Sequence, residues 1–209
     1  MAVLLLIRHG ENDYSKRGRF AGRLSGVHLN EHGRGQAGDL AAALGQIPMK
    51  AVYSSPLERA IETAEPIARA RHLKVQLEPG LLESDIGRWQ GKSVRRLALT
   101  RYWRVVQQAP SRAVHPGGES FLQTQTRTVT ALERICAHFG PRDVVACVFH
   151  ADPIKLAVAH YIGLSLDRFQ RLSCDTGSVT MLVLGSTGAQ LVWLNRQPPF
   201  EVSLSHPGP

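Results

Sequence analysis

The sequence predicts an α/β protein, a three-layer α/β/α sandwich built on a mostly parallel central sheet. Two patterns indicate this fold, because short continuous apolar runs, typical of strands buried on both faces, alternate along the chain with longer segments of helical periodicity. A third observation is a late pair of apolar segments on either side of the turn residues 185–188, which predicts a C-terminal hairpin.

The strands are assigned from their apolar runs. Four runs have the length and composition of buried strands, at residues 3–7, 51–54, 144–149 and 179–184. A fifth strand, 190–194, completes the hairpin, and residues 75–77 form a short sixth strand. In a parallel arrangement the carboxyl ends of the long strands meet at one edge, which is where open α/β sheets place ligands.

Helices are predicted between the strands, at residues 34–44, 56–71, 94–107, 119–139 and 152–162. Two of these helices carry start signals. Ser55 is a predicted N-cap with Glu58 three residues later, which is the spacing of a capping box. Asp152 is the predicted N-cap of the last helix rather than a substrate contact, and Gly163 follows that helix.

Length and composition indicate one ordinary globular domain. The chain has 209 residues, of which 43% are hydrophobic and 20% charged. We expect a single domain over residues 1–197 and a weakly ordered, proline-rich tail over 198–209. Three cysteines without metal-site spacing are predicted to be reduced. The sequence has neither a basic leader nor a long apolar segment, so we expect a cytoplasmic protein with no membrane partner.

The net charge of +8 comes mainly from arginines spread over the chain. The sequence has no zinc-finger spacing, RNA-binding signature or long basic amphipathic helix, so we predict no nucleic-acid partner. Most of the excess basic residues are expected to lie on the solvated surface. The exception is the segment with Arg17, Arg19 and Arg23, which either attracts a multiply charged substrate or forms a solvated loop.

Basic side chains follow three of the predicted buried strands. Arg8 and His9 come directly after the first strand, Arg59 lies in the helix after the second, and His150 follows the third. If these strands are parallel neighbours, the four side chains meet at one sheet edge, beside the N-terminus of the last helix. Two arginines, two histidines and a helix N-terminus would form a pocket for a dianionic phosphoryl group.

Cleavage of a phosphate ester also requires an acid, because the leaving alkoxide must be protonated. The segment 81–91 offers two carboxylates, two glycines and a tryptophan just before a helical stretch. We assign Glu83 as the acid, since burial or anionic neighbours raise the pKa of a carboxyl group. Asp85 is interpreted as a turn or capping residue.

Taken in order along the chain, these blocks resemble the histidine phosphatase superfamily, in its phosphoglycerate-mutase-like branch. The resemblance rests on Arg8-His9-Gly10-Glu11, the segment 54–60, the segment 82–91 and His150. Supporting matches are the segments 29–33, 36–37 and 116–120. The resemblance extends over residues 3–193, and His150-Ala151-Asp152 makes the chain most similar to a subgroup of probable phosphomutases and phosphatases.

The resemblance implies a catalytic role for each of the clustered residues. His9 is the nucleophile and becomes phosphohistidine, while Arg8, Arg59 and His150 bind the phosphoryl oxygens. Glu83 acts first as general acid and then as general base for the attacking water. These roles agree with the interpretation drawn from the residues alone.

Three further residues are assigned to substrate binding. Ser15 stands where the family often has Asn and is expected to donate a hydrogen bond to phosphate. Ala151 is expected to offer its backbone N–H to an oxyanion, and Arg23 to attract the substrate. The resemblance also implies a small helical cap at about residues 92–117. No metal or other cofactor is expected, because the arginines and histidines stabilise the phosphoryl charge that magnesium stabilises in other enzymes.

The predicted activity is hydrolysis of a small phosphorylated metabolite. Ser84-Asp85 follows Glu83 where glycolytic mutases of the family have an Arg-Tyr pair, and the stretch 91–117 is modest, so we expect a site open to water. A phosphomutase is the alternative, and a non-catalytic anion-binding module is a further one. A homodimer is one option for the oligomeric state.

Overall fold

A six-stranded sheet forms the centre of the structure, a computed structural model that describes residues 2–185 and 188–200. The strands are β1 (Val3–Arg8), β2 (Met49–Ser54), β3 (Val75–Leu77), β4 (Val144–Phe149), β5 (Val179–Gly185) and β6 (Gly188–Arg196). Their order in the sheet is β3-β2-β4-β1-β5-β6. The first four are parallel, whereas β5 runs antiparallel to β1 and pairs with β6. This mixed sheet confirms the predicted α/β class and the C-terminal hairpin, although residues 186 and 187 of the predicted turn lie outside the described residues.

Helices cover both faces of the sheet. In the described part of the chain they are α1 (Asp13–Lys16), α2 (Glu31–Leu44), α3 (Glu58–Ala70), α4 (Val94–Ala98), α5 (Arg101–Gln108), α6 (Phe121–Cys136) and α7 (Ala151–Tyr161). Short 3₁₀ turns are found at Pro79–Leu81, Gly87–Trp89, Pro110–Arg112 and Leu166–Arg171. Within residues 2–185 and 188–200, none of the helices has the length and apolar character needed to cross a bilayer.

The start of α3 differs from the prediction. The helix begins at Glu58 with Leu57 as N-cap, so Ser55 does not cap it. Instead, the Ser55 backbone N–H extends the sheet by donating to the carbonyl of Val148, at 2.9 Å. The Ser55 hydroxyl lies 2.8 Å from Nε2 of His150. The Ser55 hydroxyl therefore contacts His150 instead of capping the helix as the local sequence pattern predicts.

The last helix also begins earlier than predicted. α7 starts at Ala151 with His150 at the N-cap, so Asp152 lies within the first turn. Its carboxylate pairs with Lys155 at 2.8 Å instead of capping the backbone. Gly163 follows the helix with φ +68°, as expected of a glycine just past a helix C-terminus.

The predicted helix 94–107 is divided into α4 and α5. Thr100 is the N-cap of α5, and its Oγ1 accepts a hydrogen bond from the Trp103 N–H at 3.3 Å. A hydroxyl that satisfies a free N–H favours a new helix start over continuation of the old helix. α6 likewise begins later than predicted, because Ser120 and Gln123 form a capping box.

Each face of the sheet has its own apolar core. Alternate residues of β1 point to opposite faces, so Leu5 and Ile7 pack with α2 and α3, whereas Leu4 and Leu6 pack with α6 and α7. This double burial explains the continuous apolar run in the sequence, and each fully buried aliphatic side chain contributes roughly 1.5–3 kcal/mol. Phe200 belongs to the first core, so the third residue of the predicted tail is packed. Residues 201–209 lie outside the described residues.

A third apolar cluster lies under α4 and α5, beside the carboxyl edge of the sheet. Its buried members include Trp89, Leu97 and Phe121. Phe20 stacks on Trp89 with ring centroids 6.4 Å apart, and Trp103 packs against the same indole at 5.9 Å. These aromatic contacts hold the segment 94–108 next to the segment that follows α1.

Candidate active site

The carboxyl ends of β1, β2 and β4 meet at one edge of the sheet, where a cavity of about 240 Å³ opens. Four of the residues predicted to be catalytic line this cavity, namely Arg8, His9, Arg59 and Glu83. His150 lies directly behind them, with its ring centroid 5.1 Å from that of His9. The other lining residues are Asn12, Ser15, Gly18, Arg19, Phe20, Ala21, Gly22, Ile86, Val94, Ala151 and Asp152. The structure therefore brings the predicted strand-end residues together.

The backbone fixes the tautomer of His9. Nδ1 lies 2.7 Å from the carbonyl oxygen of Gly10, which can only accept, so Nδ1 carries the proton. Nε2 therefore carries the lone pair, and it accepts from the Arg59 Nε–H at 3.2 Å. Burial and the neighbouring Arg59 and Arg8 charges hold the pKa of His9 well below its usual range. The ring is neutral at pH 7, and Nε2 is its nucleophilic atom.

The turn after β1 requires a glycine at position 10. A Cβ at this position would lie 2.5 Å from the carbonyl oxygen of Gly33 in α2. The Gly10 N–H donates to Thr63 Oγ1 at 3.0 Å, and the Thr63 hydroxyl donates to the Arg59 carbonyl at 2.7 Å. Thr63 thus connects the strand end that carries His9 to the helix that carries Arg59. Thr63 could not be predicted from the sequence, because a threonine inside a helix gives no distinctive signal.

Two guanidinium groups in the cavity wall have buried donors. Arg59 is 1% exposed, and its Nη2 donates to the carbonyl of Gly22 at 2.8 Å. Arg8 donates from Nη1 to the carbonyl of Cys174 at 2.6 Å. Among the described residues, no partner accepts from Arg8 Nε or Arg59 Nη1, although both atoms are buried. An unsatisfied buried donor costs about 1–3 kcal/mol, or more when charged, so the arrangement favours a bound anion.

His150 is fully buried between Arg59 and Ser55. Its Nδ1 lies 3.3 Å from Arg59 Nη2, and its Nε2 lies 2.8 Å from Ser55 Oγ. Because a guanidinium can only donate, Nδ1 carries the lone pair here and Nε2–H donates to the serine. Burial, Arg59 and His9 hold the pKa of His150 well below its usual range. A hydroxyl both donates and accepts, so Ser55 also supports the opposite tautomer, in which Nδ1–H is available to an anion.

Glu83 lies across the cavity from the histidines. Its Oε2 is 3.9 Å from His150 Nδ1, and its Oε1 accepts from the Ser84 N–H at 2.9 Å. Burial raises the pKa of Glu83, as does the carboxylate of Asp152 in the cavity wall, to about 7 against the opposing effect of the two arginines. A carboxyl group with this pKa can both donate and accept a proton near neutral pH.

An ionic network holds the loop that carries Glu83. Arg127 of α6 donates to the carbonyl of Gly80 at 2.8 Å and pairs with Glu119 at 3.0 Å. Arg23 pairs with the same carboxylate at 2.9 Å and donates to the Glu83 carbonyl at 2.8 Å. Although burial alone would raise it, the Arg127 hydrogen bond lowers the pKa of Glu119 to about 2. Glu119 lies in the segment 116–120 that supports the family resemblance, whereas Arg127 has no local sequence signal and was not predicted.

The three residues assigned to substrate binding differ in whether they line the cavity and whether their polar groups are free. Ala151 and Ser15 line the cavity, but the Ser15 hydroxyl accepts from the Asn12 N–H at 3.0 Å and donates to the Asn12 carbonyl at 2.9 Å. Arg23 is not a lining residue, since its guanidinium is engaged by Glu119 and the backbone behind Glu83. A cationic segment in a sequence does not indicate which of its cations has an acidic partner.

This geometry agrees with the comparisons to known proteins. The profile of the histidine phosphatase superfamily (branch 1) matches residues 4–197, and the chain belongs to this superfamily. It is 32% identical over 185 residues to phosphoserine phosphatase 1 of Hydrogenobacter thermophilus, covering 87% of this chain and 86% of the relative. It is 29% identical to the 2,3-bisphosphoglycerate-dependent phosphoglycerate mutase of Thermoplasma acidophilum, covering 87% of each chain.

The fold has solved counterparts as well. The structure of YhfR from Bacillus stearothermophilus superimposes with a TM-score of 0.86 at 26% identity, covering 97% of this chain and 98% of the other. Relatives of both the phosphatase and the mutase kind confirm the predicted family. They are consistent with the predicted phosphatase or mutase activity on small phosphorylated metabolites.

Proposed function

We propose that the protein is a phosphomonoesterase that cleaves a small phosphorylated metabolite through a phosphohistidine at His9. The observation that carries this proposal is the neutral, buried imidazole of His9, whose Nε2 lone pair lies beside buried guanidinium donors. Arg8 and Arg59 supply the positive charge that a transferring phosphoryl group requires, so the proposed mechanism uses no metal and no other cofactor.

In the first step the phosphoryl oxygens accept hydrogen bonds from Arg8, Arg59 and the Nδ1–H tautomer of His150. Nε2 of His9 forms a bond to phosphorus while the bond from phosphorus to the ester oxygen breaks. Protonated Glu83 gives its proton to that oxygen, so the alcohol leaves as a neutral molecule. The Gly10 carbonyl stays hydrogen-bonded to Nδ1–H and stabilises the ring as it gains positive character.

In the second step a water molecule takes the place of the alcohol. Glu83, now a carboxylate, accepts a proton from the water as its oxygen attacks phosphorus. The bond from phosphorus to His9 Nε2 breaks, inorganic phosphate leaves, and both His9 and Glu83 return to their starting protonation states. A pKa of about 7 for Glu83 suits a group that must serve as both acid and base.

Transfer to a second substrate instead of water would make the enzyme a mutase. The 29% identical mutase relative supports this alternative, and the 32% identical phosphoserine phosphatase supports hydrolysis. We favour hydrolysis because the segment between Gly91 and Gly117 is short, as noted from the sequence. Phosphoserine and phosphoglycerate, which the names of these relatives indicate as substrates, are the first compounds to test.

A single-turnover experiment tests the proposed function. The enzyme is phosphorylated with a labelled phosphomonoester, quenched, and assayed for an acid-labile, alkali-stable phosphoenzyme and for released inorganic phosphate. We expect the label on His9 and its transfer to water. Transfer only to an added glycerate or sugar acceptor would support the mutase, and binding of polyanions without any turnover would support the anion-binding module.

The Asp152→Asn variant is expected to shift the pH profile. Asp152 helps to raise the pKa of Glu83, so removing its charge favours the ionised form of the acid. The alkaline limb of kcat/KM should move to lower pH, by less than about one pH unit. The control is Lys155→Gln, which removes the cation paired with Asp152 and should not produce this shift. An unchanged alkaline limb in Asp152→Asn would contradict the assignment.

We also place the protein in the cytoplasm, on the basis of its cysteines. In the described ranges Cys136, Cys147 and Cys174 are free thiols, and burial raises the pKa of each. Unpaired, unreactive cysteines are typical of proteins from reducing compartments.

A further inference from the structure

A second, strongly basic depression adjoins the active-site cavity. This basic groove has a volume of about 780 Å³ and is lined by Arg17, Arg19, Lys92 and Arg96, while its remaining lining residues are uncharged. It lies between the segment that follows α1 and the start of α4. The cavity where His9 lies already accounts for the first phosphoryl group, so the proposed mechanism leaves this groove without a role.

The basic groove and the active-site cavity share one lining residue. Arg19 lines both the groove and the catalytic cavity. Its Nε and Nη2 donate to the carbonyl of Gly91 at 2.8 and 2.6 Å, which holds the guanidinium at the boundary between the two spaces. An anion bound in the groove would therefore lie at the rim of the catalytic cavity.

Backbone hydrogen bonds hold the two walls of the groove together. Arg19 and Ser93 form an antiparallel bridge, and the Phe20 N–H donates to the Lys92 carbonyl at 3.0 Å. The Val94 N–H donates to the Gly18 carbonyl at 2.9 Å, and both of these residues line the catalytic cavity. The backbone of the groove walls thus continues into the wall of the active site, which fixes the attachment points of the cationic side chains next to the catalytic cavity.

The cations of the groove lack the neutralising partners found elsewhere near the site. Arg23 faces Glu119 and Asp85, whereas Arg17 has only an exposed pairing with Asp13 at 3.7 Å. In the part of the chain that the structure describes, no carboxylate lies within 4.0 Å of the side chains of Lys92 or Arg96. Like charges around one depression repel each other and raise the local concentration of anions.

We propose that the basic groove binds a second phosphoryl group of the substrate, so that the preferred substrates are small molecules carrying two phosphoryl groups. This inference rests on the proposed function, because it assigns the other phosphoryl group to His9. One phosphoryl group is transferred in the catalytic cavity while the second is held by Lys92 and Arg96, with Arg19 between them. The second group contributes mainly to binding, so its effect should appear in KM.

Alkanediol phosphates of increasing chain length test this inference. Each symmetric bisphosphate is compared with the monophosphate of the same diol, with kcat/KM expressed per phosphoryl group, so that the cleaved ester is identical and only the second charge differs. At the best chain length we expect kcat/KM for the bisphosphate to be roughly tenfold higher, through a lower KM, and to lose this advantage in high salt.

The Lys92→Gln/Arg96→Gln variant is expected to reduce the ratio of the two kcat/KM values to near one. The matched control is Lys50→Gln/Lys74→Gln, which removes the same charge from exposed positions that line neither space and should keep the wild-type ratio. Equal kcat/KM values for both esters at every chain length, or an unchanged ratio in the groove variant, would overturn the inference.

A binding measurement separates this inference from the proposed function. Isothermal titration of the non-hydrolysable alkane bisphosphonates and monophosphonates requires no turnover. We expect the bisphosphonate to bind roughly tenfold more tightly than the monophosphonate, and the difference to vanish in Lys92→Gln/Arg96→Gln. If neither ester is hydrolysed, the proposed function fails, and equal affinities for the two phosphonates would refute the groove site on its own.

Discussion

The His9→Ala variant is expected to lose phosphomonoesterase activity by at least about 10³-fold, and to form no phosphoenzyme. The reason is chemical, because Nε2 of His9 is the atom that we propose forms the bond to phosphorus. Arg59, which is buried, and Arg8, which is partly buried, remain and would still attract an anion, so the substrate should bind without being cleaved. Quenched-flow measurement of phosphate release and of trapped phosphoenzyme checks this result.

A matched histidine variant and melting curves distinguish loss of the nucleophile from loss of the fold. His138 is an exposed histidine outside the cavity, so His138→Ala should keep wild-type turnover. The far-UV spectrum and cooperative melting of His9→Ala should resemble those of the wild type. Residual hydrolysis within tenfold of the wild type in a folded His9→Ala protein would rule out His9 as the nucleophile.

The Glu83→Gln variant should lower kcat for alkyl phosphates by about 10²–10⁴-fold, because the leaving alkoxide then lacks its proton donor. Aryl phosphates have good leaving groups and should be affected much less in the first step. Burial and Asp152 raise the pKa of Glu83 to about 7, so wild-type kcat/KM should fall as the pH rises through that value. The lowered pKa of His9 keeps the nucleophile neutral to below pH 6.5.

Stability provides an independent check on the state of Glu83. The pKa of Glu83 in the folded protein is above that of a free carboxyl. Its stabilising contribution to the free energy of unfolding is therefore fully present below pH 4.5 and is lost as the pH rises through about 7. Glu83→Gln should therefore melt no lower than the wild type at pH 8, whereas its alkaline limb of activity disappears. The control is Glu133→Gln, at an exposed position on α6, which should leave both the limb and the rate unchanged. An alkyl phosphatase rate within threefold of the wild type in Glu83→Gln would contradict the role.

The clustering of the candidate catalytic residues could be predicted because their positions depend on strand ends. Arg8 is the last residue of β1, His9 and His150 directly follow β1 and β4, and parallel pairing places these strand ends side by side. The apolar runs that define those strands are strong signals, since both faces of the sheet are covered. Fold class and reacting groups therefore follow from short segments of sequence and one topological rule.

The supporting contacts could not be predicted in the same way. Ser55 precedes a proline and a glutamate, which locally favours a helix cap, but the buried His150 ring takes the hydroxyl. Arg127 reaches the Glu83 loop only because α6 packs beside it. Arg23 was predicted to attract the substrate, but its guanidinium pairs with Glu119, which is distant in the sequence. Each outcome depends on a long-range contact that no local pattern encodes.

Arg59 lies 50 residues from His9 and 91 residues from His150, and it contacts both rings. The reaction centre is therefore assembled only after widely separated segments have found each other, at the entropic cost of closing long loops. A folding intermediate without β4 in place would carry the nucleophile but only part of the anion pocket. We therefore expect turnover to recover during refolding only once β4 has docked between β1 and β2, whereas the helix signal in circular dichroism can recover earlier.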